Sequence, residues 1–185
     1  MNPNEQHGKF TSPAEVRLVR ILPGPIERVW EYLTDPEKRA RWFAGGPMEL
    51  RVGGKVRLLF RHKDLAPNET PPKAYEQHHD PGTAMDGIVT RCEPPRVLAF
   101  TFGSEGESEA TFELTPEGKN VLLGLTHRAR EGDVPYMADF GSGWHTHFAI
   151  LLSVLDGTPA PAFWSLHTRL KADYDISSVN KTAKT

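Results

Sequence analysis

Residues 143–155 read GWHTHFAILLSVL, and this stretch decides the fold. Placed on a helix at 100° per residue, Trp144, His147, Phe148, Ile150, Leu151, Leu152, Val154 and Leu155 fall within an arc roughly 200° wide. Thr146, Ala149, Ser153 and Asp156 take the opposite side. Such an arc is too wide for a helix that rests on a flat surface, so it predicts a helix embraced by something concave. His147 lies inside the apolar arc and His145 at its border. An imidazole in the middle of an apolar face points to a lined interior.

The rest of the chain supplies the concave partner. Val16–Leu22 reads as a strand, stopped by Pro23-Gly24-Pro25. Ile26, Val29, Trp30 and Leu33 then recur at helical spacing behind a proline suited to a first turn. Asp35 caps a second short helix that starts at Pro36 and ends near Phe43. From there the period becomes two. Met48–Val52 and Lys55–His62 read as strands joined by Gly53-Gly54, with Val56, Leu58, Phe60 and His62 on one face. Residues 63–85 interrupt the pattern with four prolines and the His78-His79 pair, an excursion long enough to serve as a functional cover. Four strands follow at Asp86–Cys92, Val97–Phe102, Glu107–Thr115 and Asn120–Arg128. In the third, Glu105, Glu107, Glu109 and Glu113 share a solvent-facing parity, and Ala110, Phe112 and Leu114 the buried one. In the fourth, His127 shares the parity of Val121, Leu123 and Leu125. A short helix near Pro135–Phe140 is expected before the long one, and a further helix over Ser165–Tyr174.

Composition narrows the class. The 185 residues suit a single domain, with 38% hydrophobic and 25% charged residues. A net charge of −2 and a pI of about 6.4 leave little pull toward nucleic acid or an anionic membrane. The single Cys92 excludes an internal disulfide and fits a reducing compartment. The first ten residues have no apolar core of a secretory signal, and no apolar run reaches the roughly 18 residues of a membrane span. A cytoplasmic protein is expected, organised as a mobile tail (1–13), a main domain (14–157), a helical appendix (158–176) and a disordered tail (177–185).

Strand, two short helices, a meander of strands and a long apolar helix together predict an α+β fold, a curved antiparallel sheet of six or seven strands wrapped around the last helix. In order and spacing, several motifs resemble the helix-grip (SRPBCC) superfamily of START domains, Bet v 1-like proteins and polyketide cyclases. They are Pro25 with Val29-Trp30, Thr34-Asp35-Pro36, Trp42, Val52-Gly53-Gly54, Gly87 ahead of Glu93-Pro94-Pro95, Leu125-Thr126-His127 and Gly143-Trp144. More narrowly they resemble bacterial relatives of the Hsp90 ATPase activator C-terminal domain. The 63–85 excursion and the appendix depart from the simplest pattern. The eukaryotic activator also has a separate N-terminal domain with no counterpart here, which argues against a direct co-chaperone role.

The resemblance implies a hollow between sheet and helix that holds a hydrophobic or aromatic small molecule. His127 and His147 are the expected polar contacts, with Trp144, Phe148, Leu151, Trp42, Phe60, Phe100 and Phe112 as the apolar lining. An enzyme resembling the polyketide cyclases would use a pocket histidine as acid or base; a chaperone-associated interaction module would instead show a large exposed apolar patch. No nucleophile elbow, phosphate loop or dinucleotide fingerprint occurs. His145 and His147 lie about 200° apart on the helix and cannot chelate one ion together. No metal or cofactor is therefore expected. A sheet edge or the appendix could seat a second copy of the chain.

Overall fold

In the second strand of the structure the alternation is strict: Val16, Leu18 and Leu22 are buried on one face, while Glu15 and Arg17 turn away. Here and in the strands that follow, period-two burial gives the sheet a concave apolar side. The computed structural model describes residues 2–103, 108–130 and 136–182. Its strands are β1 (Lys9–Ser12), β2 (Glu15–Pro23), β3 (Lys55–Phe60), β4 (Thr83–Glu93), β5 (Val97–Phe102), β6 (Ser108–Glu117) and β7 (Asn120–Ala129). They form one antiparallel sheet in the order β1-β2-β7-β6-β5-β4-β3. Helices α1 (Ile26–Thr34) and α2 (Pro36–Ala40) follow β2, while α3 (His62–Leu65) and α4 (Glu76–His79) lie between β3 and β4. The long helices α5 (Met137–Asp156) and α6 (Phe163–Thr182) follow β7. This is the helix-grip fold.

Local chemistry sets the punctuation. Ile26, Val29, Trp30 and Leu33 bury the inner face of α1. Asp35 caps α2, its Oδ1 accepting from the backbone N–H of Glu37 at 3.0 Å and of Lys38 at 2.9 Å. The buried Arg39 guanidinium donates to the carbonyls of Thr34, Ala44, Gly45 and Gly46. It thereby fixes the turn that carries Trp42 and Phe43 inward. Trp42 Nε1 donates to the Tyr32 carbonyl at 2.8 Å.

Five expectations are corrected. Met48–Val52 is not a strand: Met48 makes an isolated bridge to Val56 and the Glu49 N–H donates to the Lys55 carbonyl at 2.9 Å, with no continuous ladder to β3. Pro47 has no N–H for a ladder, and Gly53 and Gly54 instead exchange hydrogen bonds with Val89 of β4. The seventh strand is β1, inside the segment read as a mobile tail; Phe10 anchors it, 4% exposed and edge-on to Tyr174. β3 stops at Phe60, and His62 starts α3. Tyr136–Phe140 is no separate helix but leads into α5, while Pro135 lies outside the described residues. The C-terminal helix runs to Thr182, past the expected end at Tyr174 and into the segment expected to be disordered, of which 183–185 lie outside the described residues. Glu105 and Glu107 lie outside them too.

The extra helix changes what surrounds α5. Thr146, expected on the solvent side, is fully buried, and Gly141 is buried as well. A Cβ at Gly141 would stand 2.6 Å from the Tyr174 ring, so a glycine is what lets α6 sit this close. Helix α5 is thus enclosed by the sheet on one side and by α6 on another.

Candidate functional site

Beside the N-terminal half of α5 the packing is incomplete. It leaves a cavity of about 290 Å³, at the small end of the range for ligand sites. Phe43, Phe60, Phe102, Phe140 and Trp144 wall it from the body of the domain. The 63–85 segment adds Tyr75, His78 and Met85, and α6 adds Phe163, Trp164 and His167. These two distant segments interlock. Glu69 Oε2 accepts from the backbone N–H of Trp164 at 3.1 Å and of Ser165 at 3.2 Å, and so caps α6 from outside the helix. Trp164 Nε1 donates to His79 Nδ1 at 3.1 Å, and the Tyr75 ring stacks on Trp164.

The polar groups of the wall are mostly imidazoles. His147 Nδ1 lies 2.7 Å from the Trp42 carbonyl, and its Nε2 lies 3.4 Å from His62 Nε2. His78 Nδ1 contacts Thr83 Oγ1 at 2.7 Å, and Tyr75 donates its O–H to Asp139 at 2.7 Å. Burial, helped by the neighbouring imidazoles, pushes His62 down to about 2. Burial lowers His147 to about 4 against the opposing pull of the Trp42 carbonyl, and also lowers His167 to about 4. Burial and the Asp139 carboxylate raise the Tyr75 phenol. At neutral pH the wall therefore presents uncharged rings. Among the described lining residues there is no Lys or Arg, and no group of three or more His, Cys, Asp or Glu is placed to hold a metal ion.

Of the nine residues expected at the site, Phe60, Trp144 and His147 line the cavity. The other six are packed into the core beside it. Trp42 stacks between Phe43 and Phe148, and Phe112 meets Trp144 edge-on. Phe100 stacks on Phe102, and Leu151 is fully buried. His127 Nδ1 accepts from Trp144 Nε1 at 2.9 Å, and the His127 ring stacks at 4.0 Å on Phe140, which separates it from the cavity. Strand parity told which residues face inward but not which inward residues stay uncovered. His62, Tyr75, His78, Asp139, Phe163, Trp164 and His167 also line the cavity, beyond the residues the sequence singles out. The usable signals were the shared parity of Phe60 and His62, and the aromatic and histidine content of 62–79 and 163–167.

The profile described as activator of Hsp90 ATPase homolog 1-like protein matches residues 23–156. The chain belongs to this family. The protein encoded by gene BPP1335 from Bordetella parapertussis, solved by solution NMR, is 41% identical to this family member. The match covers 95% of this chain and 92% of that one, with a TM-score of 0.76. CalU16 from Micromonospora echinospora (24% identity, 89% and 88% of the two chains, TM-score 0.63) is similar in fold. So is EF2215 from Enterococcus faecalis, at 17% identity over 97% and 94% of the chains and a TM-score of 0.71. No curated protein matches the sequence. No described helix is long and apolar enough to cross a membrane.

Proposed function

We propose that this protein is a binding protein for an apolar, aromatic small molecule, held between the sheet, α5 and the roof formed by 63–85 and α6. The observation that carries this reading is the cavity itself, walled by aromatic rings with a few imidazoles set among them. The histidines favour binding over acid–base catalysis. Burial disfavours the imidazolium that a catalytic base would have to form, and His147 is already committed to the Trp42 carbonyl and to His62. Native mass spectrometry of freshly purified protein, joined to quenching of tryptophan emission by naphthalene, tests the proposal. Trp144 and Trp164 line the cavity, so saturable quenching is expected, and Trp144→Phe with Trp164→Phe removes most of it. The absence of both a co-purified molecule and saturable quenching would refute it.

A further inference from the structure

One chain of contacts in the cavity wall ends on a nitrogen with nothing to bind. The Trp42 carbonyl can only accept, so the proton between it and His147 sits on His147 Nδ1, 2.7 Å away. A neutral His147 then offers only a lone pair at Nε2. His62 Nε2 stands 3.4 Å from that lone pair, and the contact is a hydrogen bond only with His62 as donor. A neutral His62 that donates from Nε2 has its own lone pair at Nδ1. That Nδ1 is shielded from solvent and has no hydrogen-bond partner, although the His62 ring borders the cavity. The direction of the whole relay is thus set by a backbone carbonyl, and its free end is an acceptor. His167, on the α6 side of the same cavity, also has a buried Nδ1 without a partner.

Charge narrows the class further. Asp139 is the one carboxylate of the described wall. It already accepts from Tyr75 and lies 3.6 Å from Lys171 Nζ. A carboxylate ligand would leave water for a lining that holds no Lys or Arg among its described residues. Resting on the reading of the cavity as a ligand site, we infer that it selects neutral aromatic molecules carrying an O–H or N–H donor. His62 Nδ1 takes the donor, and His147 acts as the positioning residue that fixes the His62 tautomer. The Phe163 ring stacks on the face of His62 at 4.9 Å, and the donor enters at the edge of the imidazole, where the Nδ1 lone pair lies in the ring plane. A buried acceptor that lacks a partner in the closed wall gains one when such a ligand enters.

Calorimetric titration of the full chain at pH 7.5 with 2-naphthol, 2-methoxynaphthalene and 2-naphthoate separates the possibilities. The expected order is 2-naphthol roughly tenfold tighter than its methyl ether, as one hydrogen bond to a buried acceptor supplies, with 2-naphthoate weakest. His62→Phe keeps a ring against Phe163 and removes the acceptor. It should retain the ether and shrink the tenfold preference to less than twofold. Should this variant not fold, nitrogen-15 spectra of the wild-type histidine rings supply the second readout. His62 Nδ1 should resonate as a lone-pair nitrogen and move toward the protonated range with 2-naphthol but not with the ether. His147→Asn should weaken 2-naphthol more than the ether, because His62 is then free to switch tautomer. Equal binding of all three probes, or 2-naphthoate binding tightest, overturns the donor inference and leaves the cavity reading standing. Binding of none overturns both.

Discussion

Acid should unfold this protein well above the pH at which its carboxylates titrate. His62, His127, His145, His147 and His167 are all under 9% exposed, and burial foremost lowers them to about 2, 3, 3, 4 and 4. Arg20 and His7 oppose protonation of His145, and Lys171 that of His167, while Asp139 alone favours it at His167. Above about pH 6.5, the ordinary imidazole value, folded and unfolded chains both hold these rings neutral and stability is flat. As pH falls through 6.5 only the unfolded chain takes up protons. Stability is lost until the pH reaches the folded values, near 4 and below. At pH 5 each ring contributes a loss of about 2 kcal/mol, and five together set a ceiling of about 10 kcal/mol. That is comparable with the whole stability of a domain this size. Urea denaturation followed by circular dichroism at pH 7.5, 6.5, 5.5 and 5.0 measures it. The midpoint should fall steeply below pH 6.5. A stability constant to within about 1 kcal/mol between pH 7.5 and 5.5 would show that the rings reach water or carboxylates in the folded protein, and would refute the reasoning.

Two substitution experiments test the packing around the site. Glu69→Ala removes the acceptor for the Trp164 and Ser165 amides. It should cost about 1 kcal/mol and speed hydrogen exchange at those two amides, with α5 unaffected; unchanged exchange would deny that Glu69 holds the roof. Gly141→Ala and Gly143→Ala, both within α5, should have opposite signs in thermal denaturation. The first drives a Cβ to 2.6 Å from the Tyr174 ring, for a loss of about 1–3 kcal/mol. The second meets nothing within 4 Å and should gain up to about 1 kcal/mol from helix propensity.

The helix-grip fold was legible because its signals are local. The broad arc of α5, the alternation in β3, β6 and β7, and the Asp35-Pro36 cap each follow from neighbours in sequence. Elsewhere long-range contacts outweigh local character. Residues 9–12 hold one large apolar side chain, Phe10, yet form β1 because Tyr174 and β2 are there to receive it. Met48–Val52 has strand-like composition, but Pro47 and the pairing of Gly53-Gly54 with Val89 leave it no continuous ladder.

The amino-acid sequence by itself determined which faces of the strands and of α5 are apolar, because side-chain direction follows the backbone period. It therefore determined the wrapped sheet, the enclosed helix and the inward position of Phe60, Trp144 and His147. Only the tertiary structure decided where the interior stays unfilled. A cavity is a deficit of packing among residues as far apart as Phe43 and His167, and no local pattern records whether a facing side chain arrives to fill a gap. The same holds for the roof, where Glu69 meets the start of α6 across about a hundred residues. It holds also for the donor and acceptor ends of His62, which are set by a carbonyl two contacts away.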